Sequence, residues 1–582
     1  MDKENKNLSR RKVLIGAGIA AGAATTLGLG GSLVAAEKGS SEQKWDMETD
    51  VVVVGTGAAG GSAAVTATAL GAKVIVVEKM PMAGGTTGKS GGVTWIPNNK
   101  YMVAQGIDDK RDDCLRYIAR YAYPEAYDAS SATLGLPEPV HAMMAAFYDN
   151  GPKMIEWMEQ IEAVRFRPFK MWDVNMSPPD YGDHLPENKA NNARALEPSV
   201  GAGSSEGGSS LALQLEQWLT KRKVPVLLNH RAVGVIRDGE RVIGLEVESE
   251  GRRLRIRANK GVIFGSGGFA HNTDLVRLHQ PGIYGACAMP GSTGDFIAIA
   301  QDAGARMGTL STAWRTQVVL EQALENRALP AGVFFVPGDS MIQVNKYGVR
   351  VVNEKRNYND RTRCHFTFDP VNAEYPNRLM VMVFDERSLN RYAGALPLPL
   401  DKRESKWLIE GADVQQLTQR IKERLASLGG KVGNYALDDS FARNLDATIE
   451  RFNGFAEKGE DEDFQRGFYE YDRVWNKLFS PVSKNATFPD NDKPNKTMYP
   501  IDRKSTLYAV LLAPGALDTN AGPAINPHGQ VLAAHGEPIP GLYGAGNCIA
   551  SPSGPAYLGA GGTIGLALTF GYLAARHATG NA

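Results

Sequence analysis

Two glycine-rich stretches near the front of the chain have the residue types and spacing to hold a dinucleotide. Val51 to Val54 is a β-branched run, and Gly55-Thr56-Gly57-Ala58-Ala59-Gly60 follows it without a spacer. The first glycine permits a tight turn, the second a close backbone approach to a pyrophosphate, and the third close packing of helix on strand, with the phosphates at the helix N-terminus. Glu78 ends an apolar run 18 residues past Gly60, where a carboxylate accepts hydrogen bonds from ribose hydroxyls, and Lys79 follows it. The second stretch is Gly84-Gly85-Thr86-Thr87-Gly88-Lys89-Ser90-Gly91-Gly92. A simple nicotinamide site needs no such segment. A flavin dinucleotide does, because its ring must lie against backbone with donors aimed at its polar edge. Gly85, Thr86, Thr87, Ser90, Gly91 and Gly92 therefore join the turn residues as candidates for holding FAD.

These residues need a strand, a helix and a second strand to position them. The pattern supplies a buried strand at Val51 to Val54, an Ala-rich helix from about Ser62 to Leu70 closed by Gly71, and a second strand at Lys73 to Val77. Further strands are expected at Val224 to Leu228, Ala232 to Arg237, Arg241 to Glu248 and Leu254 to Ala258. Pro225 confines the first of these to a sheet edge or a strand start, and Asp238-Gly239 supplies a hairpin turn. Gly261 to Phe269 reads as a strand returning to the cofactor, which adds Gly265, Ser266 and Gly267 to the candidates, with Ala232 and Val233 before it. Asp295, at the start of a glycine-led helix from Gly291 to Gly304, is either an ordinary first-turn acid or the anchor of a flavin-side loop. The glycine motifs stop between about Leu310 and Pro500 and return in Gly541 to Asn547 and Tyr557 to Gly565, bringing Asn547, Thr563 and Ile564. The expected architecture is α/β, with a Rossmann-like FAD-binding domain that is discontinuous in sequence (46–310 and 501–582) and an inserted α+β substrate-capping domain (311–500).

Composition excludes several partners. Lys+Arg and Asp+Glu number 64 each, so no net field favours nucleic acid. Cys114, Cys287, Cys364 and Cys548 form no C-x-x-C, which leaves no case for zinc, an iron–sulfur cluster or covalent haem, and no metal is expected. Residues 1–45 stand apart. Arg10-Arg11, a Gly/Ala/Leu-rich stretch from Val13 to Ala35 and a small-residue site at Val34-Ala35-Ala36 resemble a twin-arginine export signal, with a membrane anchor as the competing reading. Export would place the protein in the periplasm or at the outer face of the membrane, touching lipid only through an uncleaved signal.

With these motifs together, from about Asp50 to Ala575, the chain resembles the fumarate reductase/succinate dehydrogenase flavoprotein superfamily, and within it the 3-ketosteroid dehydrogenases. Gly85 falls where succinate dehydrogenases place the histidine that bonds the flavin, so the resemblance implies non-covalent FAD. Fumarate-type reductases hold a dicarboxylate with arginines and a histidine. Here Tyr358 stands four residues past the Gly348 to Glu354 run that normally leads to one arginine, Tyr557 precedes Leu558-Gly559 where a second is expected, and Ala513 to Ile525 lacks the histidine. Tyr557 to Gly561 resembles the ketosteroid dehydrogenase segment in which a tyrosine hydroxyl and a glycine N–H bind the steroid 3-oxo group. The implied reaction is 3-oxosteroid 1,2-dehydrogenation. Tyr557 and Gly561 hold the enolate, Tyr358 takes the α-proton with help from Tyr181 or His184, and the neighbouring carbon gives hydride to flavin N5. Trp314, Phe334 and Phe335 are candidate walls of an apolar pocket. Leu-Gly-Ala-Gly after Tyr557 replaces the commoner Pro-Gly-Pro-Gly, which leaves the steroid and the position of dehydrogenation open. The implied partners are an apolar ketone and an electron acceptor, either a quinone or a redox protein. The alternatives are an enone or enoate reductase of fumarate- or urocanate-reductase type fed by respiratory electrons, and a non-catalytic flavin carrier.

Overall fold

The computed structural model describes residues 44–171, 175–199, 207–477 and 488–581. The twin-arginine stretch lies outside them. No described helix is long and apolar enough to cross a membrane.

Strands Met47–Val54 and Val74–Val77 pair in parallel across helix Ala58–Ala69, as the sequence pattern requires. They belong to an eight-stranded sheet with the order Gln530–Leu532, Pro538–Gly544, Arg252–Phe264, Met47–Val54, Val74–Val77, Val226–Leu227, to which Arg231–Asp238 and Arg241–Ser249 attach. Two of its strands therefore come from the C-terminal part of the chain, and the dinucleotide sheet is discontinuous. Val226–Leu227 takes the edge, where the missing N–H of Pro225 costs no ladder bond. One expectation is corrected. Leu254 to Ala258 and the return at Gly261 are one strand of 13 residues, which pairs antiparallel with Arg241–Ser249 and parallel with Met47–Val54 and Pro538–Gly544. A single extended segment serves because its N-terminal half needs only one buried face while Val262 to Phe264 are buried on both.

Small residues set the spacing of this layer. A Cβ on Gly60 would stand 1.9 Å from the Gly55 carbonyl oxygen, and one on Gly571 would stand 2.4 Å from that of Ala59. The C-terminal helix Gly562–Ala578 thus packs directly on Ala58–Ala69, and the Ser62 hydroxyl donates to the Leu568 carbonyl at 2.7 Å. A second, six-stranded sheet contains Gly285–Ala286, Ala313–Val319, Met341–Val344, Met380–Asp385, Ile409–Gly411 and the 13-residue Leu507–Thr519, so its strands begin before residue 311 and end after residue 500. A three-stranded sheet (Thr94–Trp95, Phe166–Pro168, Ala195–Pro198) and helices Arg111–Ala122 and Glu138–Gln160 complete the frame around the first sheet.

Candidate active site

A cavity of about 460 Å³ opens at the carboxyl ends of the parallel strands and reaches into the second sheet. Its first part is lined by the glycine turn. Gly55 has φ +99°, and a Cβ there would stand 2.5 Å from the Gly265 oxygen. The Ala58 amide donates to Thr87 Oγ1 at 2.9 Å, whereas the amides of Gly57 and Ala59 donate to no protein acceptor among the described residues. Free donors at a helix N-terminus, facing a groove too tight for side chains, suit a pyrophosphate. Glu78 is held by the backbone and hydroxyl of Thr56, at 3.1 and 2.7 Å, and by the Met80 amide at 3.0 Å. Its carboxylate is fixed at the strand end and lines the cavity.

The further predicted cofactor residues Lys79, Gly85, Thr86, Ser90, Gly91, Gly92, Ala232, Gly265, Ser266, Gly267, Asn547, Thr563 and Ile564 also line it. Gly60 and Val233 do not. Gly60 is spent on helix–strand packing, and Val233 sits at an irregular step of strand Arg231–Asp238, half-buried beside cavity-lining Ala232. Asp295 accepts from Lys79 at 3.0 Å and from Arg231 at 2.8 Å, and Thr293 donates to it, so it ties a loop to the cavity wall.

The deeper part is aromatic. Tyr181, Tyr358 and Tyr557 are buried together, with ring centroids 5.1 Å apart for Tyr181–Tyr557 and 5.5 Å for the other two pairs. The Tyr181 hydroxyl donates to that of Tyr358 at 3.0 Å. The Tyr557 phenol stands beside the hydroxyls of Tyr358 and Thr563. Burial pushes the phenols of Tyr181 and Tyr358 well above their ordinary value, and neighbouring phenols add to it. The Tyr557 phenol is raised by burial, against the two hydroxyls that lower it. Gly561 has φ +88°, and a Cβ would stand 2.2 Å from the Val93 oxygen. Its amide donates to no protein acceptor among the described residues, and the residue lines the cavity beside Tyr557. Phe169, Trp314, Phe334, Phe335 and Trp475 supply apolar walls. His184 does not line the cavity. It is half-exposed and lies 3.0 Å from an Arg356 nitrogen.

No arginine lines the cavity among the described residues. Arg350, from the run that resembles the dicarboxylate reductases, is buried between Glu354 and Asp461 at 2.8 Å each. Arg356 donates to the Tyr181 carbonyl at 2.8 Å and to Asp183 at 2.7 Å. Arg361 donates to Gln317 and the Val333 carbonyl, behind Phe334. The lining lysines are engaged as well. Lys79 bonds Asp295, and Lys89 donates to the carbonyls of Cys287 and Leu329.

Several lining residues were not foreseen. Asp518 is buried among Ser292 (2.7 Å), the Gly268 amide (3.0 Å) and Asn547 (3.3 Å), and Asn547 in turn accepts from Trp314 at 2.9 Å. Burial raises its carboxyl. Only its place in Leu517-Asp518-Thr519-Asn520, a polar break in an apolar strand, could have flagged it. Phe169, His230, Cys287 and Trp475 carry no linear signal.

A family model described as an FAD binding domain matches residues 50–564. The chain is 32% identical to 3-oxosteroid 1-dehydrogenase of Mycolicibacterium smegmatis, over 91% of this chain and 96% of that one. It is 30% identical to 4-oxocyclohexanecarboxylate 2-dehydrogenase of Sinomonas cyclohexanicum, over 92% and 93%. Its fold is similar to that of the 3-ketosteroid Δ1-dehydrogenase of Sterolibacterium denitrificans, solved with 1,4-androstadiene-3,17-dione (TM-score 0.75, 26% identity, 92% of this chain and 100% of that one). The glycine cradle, the helix N-termini and the Glu78 carboxylate all fit FAD, which is this protein's cofactor. The chain belongs to the FAD binding domain family, as a 3-ketosteroid 1-dehydrogenase-like member of the fumarate reductase/succinate dehydrogenase flavoprotein superfamily.

Proposed function

We propose that the protein is an FAD-dependent 3-oxosteroid dehydrogenase that introduces a double bond beside a ring ketone. One observation carries the reading: three buried phenols converge on a cavity with no arginine among its described lining residues. A dicarboxylate in such a site would have no free cationic fork to neutralise it. A neutral ketone needs only donors. The Tyr557 hydroxyl and the Gly561 amide are offered to its oxygen, where two donors stabilise the developing enolate. Tyr358 takes the α-proton, and the Tyr181 hydroxyl, bonded to it at 3.0 Å, fixes where that phenol oxygen stands. Bound FAD, which Gly55, Gly57, Glu78 and Gly85 would hold without a covalent bond, would supply the hydride acceptor. The walls of Phe169, Phe334, Phe335 and Trp475 are apolar and match an apolar fused-ring body.

We also propose export by the twin-arginine-type signal at Arg10-Arg11, which would place the enzyme where a quinone or a redox protein takes its electrons. The arginine pair ahead of a weakly hydrophobic stretch supports this.

Anaerobic mixing of the oxidised holoenzyme with 4-androstene-3,17-dione is expected to bleach the flavin. The dithionite-reduced enzyme is expected to stay reduced with fumarate and with urocanate; reoxidation by either would replace this reading with a carboxylate reductase. Tyr557→Phe is expected to lower kcat by about 10²- to 10³-fold with FAD affinity unchanged, and parallel loss of both would contradict its role. Because burial raises the Tyr358 phenol, its ionised fraction is small at neutral pH and grows with pH. kcat/KM should therefore keep rising above neutrality, and a plateau near neutrality would argue against a phenol base. The same raised phenols favour folding below about pH 10 and lose that contribution above it, so the profile is to be read below the onset of alkaline unfolding. Replacing Arg10 and Arg11 together by Lys should retain the protein in the cytoplasm; unchanged fractionation would remove the export proposal.

A further inference from the structure

We propose that Tyr117, which does not line the cavity, is a positioning residue that sets the register between Tyr181 and Tyr557 and thereby the reactivity of Tyr358; this rests on the reading of the site given above.

Tyr117 lies on helix Arg111–Ala122, far in sequence from both segments it touches, and is fully buried. Its hydroxyl donates to the Leu558 carbonyl at 2.5 Å and accepts from the Gly182 amide at 3.2 Å. The same Leu558 carbonyl accepts from the Tyr181 amide at 3.2 Å. One hydroxyl and one carbonyl therefore join the Leu558–Gly559 peptide to the peptides on either side of Tyr181. No slack surrounds this junction. A Cβ on Gly182 would stand 2.7 Å from Tyr117 Cε2, and one on Gly559 would stand 2.6 Å from the Trp95 ring and 2.7 Å from Asp180 Oδ1.

The ring itself is clamped. The Arg194 guanidinium lies 5.4 Å from its centroid and 5.2 Å from that of Trp95, with Tyr121 stacked at 5.9 Å. Arg194 is fixed in turn by Asp109 (2.7 and 2.8 Å) and Asp180 (2.5 Å), and Asp180 also accepts from Trp95 at 2.7 Å. Asp180 immediately precedes Tyr181, so the clamp and the junction act on the same short segment. The consequence is geometric. Tyr181 reaches Tyr358 through one hydrogen bond and touches Tyr557 through one ring stack, and a shift of a few tenths of an ångström between segments 180–182 and 557–559 loosens both.

The test is a double-mutant cycle on the FAD-loaded full chain with a 3-oxosteroid as substrate. Tyr117→Phe is expected to lower kcat about 10- to 100-fold, to leave KM and FAD affinity nearly unchanged, and to shift the pH at which kcat/KM rises. In Tyr117→Phe/Tyr181→Phe the loss should fall well short of the two single losses combined, because both act through Tyr181. Additive losses, or a lower Tm with kcat and pH profile unchanged, would overturn the inference. Where Tyr117→Phe yields too little holoenzyme, Gly182→Ala displaces the same hydroxyl from the other side and is read in the same cycle; failure of both to fold would make the contact structural and overturn the inference as well. A wild type inert toward 3-oxosteroids takes this inference down with the proposed reaction, whereas an active wild type with an unaffected Tyr117→Phe overturns the inference alone.

Discussion

The constraint that organises the molecule is electrostatic: the end of the cavity that meets the substrate is walled by aromatic rings and holds no free cation among its described residues. Relatives that act on two carboxylates need fixed positive charge there. Three phenols and a peptide amide stand in its place here. A buried phenolate is costly without a cation, which is why burial raises all three phenols. Negative charge developing on a substrate oxygen is held by neutral dipoles, whose value depends on fixed geometry more than on field strength. The arginines have not been lost from the neighbourhood. Arg350, Arg356 and Arg361 are turned into the frame, bonded to carboxylates and carbonyls, where they hold the backbone that carries Tyr181 and Phe334.

Fixed geometry is difficult to supply because the site draws on distant pieces of chain. Tyr181 comes from the insertion after the first dinucleotide unit, Tyr358 from the helix Tyr358–Arg363 beside the second sheet, and Tyr557 and Gly561 from the approach to the last helix. The C-terminal helix is pressed onto the helix after the glycine turn by Gly571 and Ala59, so the cofactor cradle and the segment that leads into that helix, with Tyr557 and Gly561, are held together. The second sheet brings Tyr358 against that layer, with the Thr362 hydroxyl bonded to the Tyr358 carbonyl. Precision at the hydroxyls thus depends on packing at positions that never touch a ligand.

Much of this was legible in the sequence where local rules apply. The strand, glycine turn, helix and acid at Val51 to Glu78 are specified by spacing alone, and the residues expected there converge on one cavity. Gly60 and Val233 mark the limit of that logic. The first has a packing role that looks the same as a binding role in a linear motif, and the second depends on a step in strand register. The fusion of two expected strands into Arg252–Phe264 reflects tertiary pairing that local propensity cannot report. Asp518, Phe169 and Trp475 were invisible for a different reason: they reach the site through contacts between distant segments, and nothing in their neighbours' residue types records that. Tyr358, Tyr181 and Tyr557 were found by resemblance at matching motif positions, and each looks by itself like any packed aromatic.

On the proposed reaction these neutral groups enolise a ketone without charge assistance. This can be tested apart from electron transfer by following, by NMR in deuterated buffer, exchange of the protons beside the carbonyl of a 3-oxosteroid bound to the dithionite-reduced holoenzyme, whose flavin can accept no hydride. Exchange should be confined to the α-position, lost in Tyr358→Phe and strongly slowed in Tyr557→Phe. Exchange that continues at the wild-type rate in Tyr358→Phe would contradict this.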